Sequence, residues 1–202
     1  MAQSGISYVD VAICFVLVVF VFIGYRRGFT EEFLKISGTI IAFLVATRYM
    51  SYLSPVFTNS LGLDASVGII FSFILIFLAI VVLFKMLRQK TRKAFTFSVG
   101  LGGADKLVGG ALGMFKGALI VSLLAMLLGL WGPPQEFRDH IYSSKLYNPM
   151  LKIAPAVYNV VKRFIPNSNP FEVELQNNVN KVNSYERADK AQEFIYELQD
   201  NN

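Results

Sequence analysis

One cysteine and one histidine are all that 202 residues contain, and charged side chains make up only 16% of the chain. Cys14 lies inside an apolar run, so there is no internal disulfide, no cysteine-rich zinc site and no iron–sulfur cluster. His140 alone excludes an HExxH pair and any multi-histidine metal centre, and leaves one Ser–His–acid triad that would have to be built around it. A soluble domain is about one quarter charged, and this chain falls well short. In place of charge, 54% of the residues are hydrophobic and 18 are Phe. A disordered chain, a collagen and a disulfide-stapled module are excluded, and the bilayer becomes the expected solvent.

Four apolar stretches stand out. Residues 11–23 carry no polar side chain except the thiol of Cys14, and 65–84 hold no charge at all. Residues 107–131 hold one charge, Lys116, while 34–50 are interrupted by Lys35, Ser37, Thr39 and Arg48. A hydrocarbon core of about 30 Å needs roughly 20 residues of helix, so the third and fourth stretches qualify alone. The first needs its flanks, and the second is expected to join three spans already present. The fold class is therefore an all-α integral membrane protein with four transmembrane helices and a mostly helical C-terminal tail outside the membrane. A cleaved signal peptide would need a basic leader, but residues 1–9 have no Lys or Arg and the run ends in Arg26-Arg27.

Orientation follows from charge. The net charge of +5 is uneven: residues 1–132 hold 11 Lys and Arg against 5 Asp and Glu, and 133–202 hold 8 against 9. Arg26, Arg27, Lys85, Arg88, Lys90, Arg92, Lys93 and Lys106 flank one side of the spans, with only Arg48 bordering the other. Basic residues stay on the cytoplasmic side, so both termini are expected outside the cytoplasm. Membrane topology accounts for this basic bias, and nucleic acid is not an expected partner.

The tail beyond Trp131 reads differently. Residues 141–165 mix apolar and basic side chains around Pro149 and Pro155, which suits short amphipathic helices on the membrane surface or a small solvated subdomain. Residues 166–170 form a linker by composition. Ser184 is expected to cap a helix running to about Gln199.

The stretch from Gly100 to Ile120 carries the most information. Gly109, Gly113 and Gly117 recur every four residues and form a bare ridge on one helix face, which in lipid lets another backbone approach. Leu119 lies on a face without small residues. Gly100 to Gly103 has no preceding strand and no Lys-Ser/Thr ending, so it reads as a flexible entry to the span and not as a phosphate loop. Asp10 opening the first span, Arg27-Gly28-Phe29 with Glu32 three residues on, and Asp105-Lys106-Leu107-Val108-Gly109 followed by Phe115-Lys116-Gly117 together resemble the colicin V production protein (CvpA) family over about residues 5–132. That resemblance implies a multi-pass protein of the bacterial inner membrane, associated with production or export of the peptide toxin colicin V. Some members of that family place this membrane domain before an exported trypsin-like protease; the present tail is too short for one and lacks a Gly-x-Ser-x-Gly motif.

Charges within spans are costly and face a bundle interior, a partner or water. Lys116 enters its span by about nine residues, roughly 13 Å. Glu32 is its expected partner and Asp105 the second choice, while Asp10 belongs to the opposite end. Alternatively Lys116 snorkels and Glu32 suits the N-terminal dipole of the second span. Few polar side chains are expected inside the spans, which favours a scaffold or assembly factor over a small solute or ion transporter or channel. No nucleophile–base pair or metal set is visible, so no enzyme, cofactor or metal is expected. Expected partners are the lipid bilayer, a second copy of the chain, and other membrane or exported proteins.

Overall fold

The computed structural model describes residues 7–91, 102–132, 134–165 and 169–184. Among these, helix is the regular structure throughout. Four helices are long and apolar enough to cross a membrane: α1 (Tyr8–Arg27), α2 (Phe29–Leu61), α3 (Ala65–Thr91) and α4 (Gly102–Trp131). The tail folds as α5 (Gln135–Tyr142), α6 (Tyr147–Leu151), α7 (Ile153–Val161), a 3₁₀ turn at Lys162–Phe164, and α8 over residues 171–184.

Helix lengths depart from the sequence reading at two places. The second span, expected over 34–50, is part of a 33-residue helix that at 1.5 Å per residue is about 50 Å long. The connection expected over 51–66 is thus mostly helix, and the turn to α3 shrinks to residues 62–64, with Gly62 in the left-handed conformation at φ +62°. Pro55 lies within α2 and removes one amide donor from it. At the other end, Gly102 and Gly103 are already helical in α4, so the expected flexible entry does not extend to them.

α4 packs against α1 on one side and α2 on the other, and α2 packs against α3, leaving α1 and α3 as the flanking helices. Glycine explains the first contact. A Cβ on Gly113 would collide with the Phe20 carbonyl, one on Gly24 would collide with the Gly109 carbonyl, and one on Gly109 would lie 2.6 Å from the Gly24 carbonyl oxygen. Gly117 holds the flank of the Phe20 side chain. In lipid, where burial of apolar surface does not drive helix association, backbone approach of this kind supplies dispersion and weak Cα–H···O contacts instead. The ridge is therefore filled by α1 of the same chain.

The opposite face of α4 enters the main core, and Leu119, fully buried, lies there. Phe43, Met50, Ile69, Phe73, Leu119 and Leu123 pack with Tyr158 of α7 and Phe171 and Val182 of α8. The Phe43 ring meets those of Phe73, Tyr158 and Phe171 at centroid distances of 6.4, 5.9 and 6.0 Å. So α7 and α8 share the core of α2, α3 and α4. The short tail helices read from the sequence over 141–165 are present, and they dock against the bundle.

Polar atoms fasten this docking. Ser122 accepts a hydrogen bond from the Ala154 amide at 2.8 Å and donates to the Leu151 carbonyl at 3.3 Å. Tyr147 donates to the Ala125 carbonyl at 3.2 Å, and Asn178 to the Thr47 carbonyl at 2.8 Å. The helix expected beyond Ser184 lies outside the described residues; Ser184 itself is helical and donates to the Lys181 carbonyl at 2.7 Å.

Replacing Gly113 by Ala should force α1 and α4 apart and destabilise the solubilised protein by about 1–3 kcal/mol. Gly103→Ala, at a helical position whose Cβ meets nothing within 4 Å, should be neutral or slightly stabilising. Thermal unfolding in one detergent compares them; equal melting of the two variants would show that the glycine contact does not hold α1.

Candidate functional site

At the end of the bundle where α1 passes into α2, the chain reverses over one residue. Gly28 has φ +80°, ends α1 by donating its amide to the Gly24 carbonyl at 3.0 Å, and opens α2 by accepting from the Glu32 amide at 3.2 Å. Glycine is required twice over here. A side chain is strained at that φ, and a Cβ would run into the Asp105 carboxylate. Having no side chain, Gly28 cannot cap α2. Asp105 of α4 supplies the missing acceptor, its Oδ1 receiving the Phe29 amide at 3.1 Å. An N-terminal helix donor is thereby satisfied by a carboxylate from another helix. Phe29 is partly exposed and rests against Phe33, ring centroids 5.6 Å apart.

Glu32 follows one turn into α2 and is completely buried. Its Oε1 accepts from Lys116 Nζ of α4. Its Oε2 has no hydrogen-bond partner among the described residues, with the Arg27 guanidinium 4.0 Å away. Lys116 is buried as well and stands 5.3 Å from the centre of the Phe20 ring. The ammonium thus lies between an α1 aromatic face and an α2 carboxylate. Both attractions are strengthened where water is absent. Glu31 points elsewhere, pairing with Lys35 at 2.6 Å one turn along α2.

Arg27, Gly28, Phe29, Glu32, Asp105 and Lys116 therefore meet at one end, and Gly109, Gly113 and Gly117 lie along the adjoining α1–α4 contact. Lys116 takes Glu32 as its partner, while Asp105 holds the backbone. Asp10 stands apart. At the far end of α1 its carboxylate accepts from the Ser144 hydroxyl at 2.5 Å, the Leu146 amide at 3.0 Å and the Lys145 amide at 3.4 Å. It fixes the turn between α5 and α6. Ser7, the N-cap of α1, donates to the His140 carbonyl at 3.2 Å beside it. That use of His140 is through its backbone.

Several polar residues lie inside the bundle, and of these only Thr39 stood out in the sequence, as an interruption of the second span. Thr39, Thr47, Ser51, Ser54, Ser72 and Ser122 are all buried, so the interior is more polar than expected. Thr39, Thr47 and Ser72 return their hydroxyls to the carbonyls of Lys35, Phe43 and Gly68 at 2.9, 2.9 and 2.7 Å. Such back-bonding hides a hydroxyl inside its own helix, and hydropathy alone does not register it. Ser122 had a signal, as the only hydroxyl side chain in residues 107–131.

The sequence profile described as "Colicin V production protein" matches residues 9–155 of this chain. The chain belongs to the colicin V production protein family. The match extends beyond α4 through α5 and α6 into α7, so the family region includes the tail segment held by Asp10. The colicin V production protein homolog of Haemophilus influenzae is 28% identical over 122 residues, covering 59% of this chain and 72% of that protein. No solved structure matches.

Removing one partner of a buried ion pair leaves the other without compensation, at a cost of about 3–5 kcal/mol. Lys116→Met and Glu32→Gln should each destabilise the protein in that range. The double variant should be less destabilised than the sum, by about 0.5–3 kcal/mol. Unfolding of the four proteins in a common detergent measures the coupling, and strict additivity would show that the two groups act independently.

Proposed function

We propose that the protein is a scaffold or assembly component of the bacterial inner membrane, non-catalytic, and associated with colicin V production or export. Family membership supports the association. The observation that carries the scaffold reading is the Glu32–Lys116 contact, in which each charge is engaged by a group of another helix. Asp105 and Asp10 behave alike, each spending its carboxylate on backbone amides of a distant segment. Ionisable groups inside membranes often mark transport pathways, but a carried ion or proton needs ligands that can exchange. Here the charges tie helices together. The tail, docked into the bundle core, offers a built surface on which a membrane or exported partner would assemble.

Arg26 and Arg27 near the α1–α2 turn support a cytoplasmic location for that end by the positive-inside rule, with the tail and both termini expected on the other side. Transport is the second reading, and one observation favours it. The buried hydroxyls of Ser51 and Ser54 have no hydrogen-bond partner among the described residues, and Pro55 beside them cannot supply its amide to the helix. α2 runs unbroken through this point, but polar groups at a weakened stretch of a spanning helix resemble the sites that transporters build.

Crosslinking and pull-down from intact membranes, paired with flux in proteoliposomes, separates the two. Specific partners without flux are expected, and selective flux would overturn the scaffold reading. In a Cys14→Ser background, cysteine at Ser60 should label from outside spheroplasts and cysteine at Thr30 should not.

A further inference from the structure

A groove of about 820 Å³ opens between the last turns of α4 and the tail. That volume falls in the roughly 300–1,000 Å³ range of ligand-binding sites. Met126 and Leu130 of α4 form one wall, and Leu151 and Val179 contribute from the tail. Gly129 lies between the two α4 residues, and a Cβ there would meet nothing within 4 Å, so the absent side chain leaves the groove open. The exposed indole of Trp131 ends the same helix, at the level where interfacial aromatics sit. Lipid is the abundant apolar matter beside the end of a membrane-spanning helix.

The lining also carries two opposite charges, Lys152 next to α6 and Glu172 in the first turn of α8, both exposed. A cation and an anion on one apolar groove match a headgroup that bears a phosphate and an ammonium together. We propose that this groove binds a zwitterionic aminophospholipid of the surrounding leaflet. An acyl chain lies along Met126, Leu130 and Val179, the phosphate meets Lys152 and the headgroup ammonium meets Glu172. An anionic lipid without an amine would satisfy Lys152 but confront Glu172 with like charge. The bound lipid would bridge α4 to the tail helices and reinforce their docking. This holds whether the protein is a scaffold or a transporter.

The test uses the full chain in mild detergent, titrated with phosphatidylethanolamine or phosphatidylglycerol of identical acyl chains and read by native mass spectrometry. One tightly held phosphatidylethanolamine is expected, favoured about tenfold over phosphatidylglycerol, a difference of about 1.4 kcal/mol. Gly129→Leu fills the groove and should lower that binding at least about tenfold without lowering the melting temperature of the lipid-free protein. Val179→Trp fills it from the tail and should do the same, which guards against misfolding of either variant. Glu172→Ala should abolish the preference between the two lipids while leaving both bound. Unchanged binding by folded Gly129→Leu and Val179→Trp, or a preference for phosphatidylglycerol in the unaltered protein, would overturn the proposal.

Discussion

An ammonium and a carboxylate carried into a bilayer lose water on every side, and the loss is tolerable only if they meet each other. Glu32 and Lys116 are 84 positions apart and lie on the two central helices of this protein. Their contact sets the relation of α2 to α4 near the α1–α2 turn, and much of the surrounding geometry serves it. Gly28 reverses the chain in one residue, bringing Glu32 to the start of α2 at the depth of Lys116. Asp105 takes the Phe29 amide and holds that reversal against α4. Gly24, Gly109 and Gly113 let α1 approach α4 closely enough for Phe20 to cover the ammonium.

The far end of the bundle is organised by a different carboxylate. Asp10 reaches past its own helix to gather the amides of the α5–α6 turn, and Ser122 receives α7 on the neighbouring side of α4. The described part of the tail is thus bound at its start by Asp10, along its middle by Ser122 and towards residue 184 by Asn178 on Thr47. Between these polar ties lie Tyr158, Phe171 and Val182, which complete the core around Phe43. The two ends of the membrane bundle use the same principle, a side chain from one helix satisfying backbone or charge in another.

Much of this was legible from residue order, for physical reasons that can be named. The four apolar helices follow from hydropathy, because a bilayer accepts few other structures. The Glu32–Lys116 pairing was readable from depth, since the turn holding Glu32 and the start of α4 belong to the same side. The glycine spacing marked a close helix contact, and the structure adds that its occupant is α1. The destination of Asp10 was not legible: its partners are two backbone amides and a serine hydroxyl more than 130 positions away, and no local pattern encodes such a contact. The docked tail was missed for a related reason. Tyr158 sits in a stretch with Lys and Arg residues that suggest an interfacial surface, Phe171 follows a linker-like segment, and only the packing around Phe43 reveals both as core. The extension of α2 through Pro55 was hidden because proline ordinarily argues for a break.

Lys116 and Glu32 touch inside the bundle of membrane-spanning helices. Magic-angle-spinning NMR on protein in lipid bilayers, with ¹⁵N at the lysine ζ position and ¹³C at the glutamate carboxyl, measures that contact through dipolar dephasing. The account predicts strong dephasing of the Lys116 ammonium by a carboxylate carbon, abolished by Glu32→Gln in protein that remains folded. A Lys116 ammonium with no carboxylate dephasing, exchanging freely with water protons, would contradict it and leave the lysine reaching for the membrane surface.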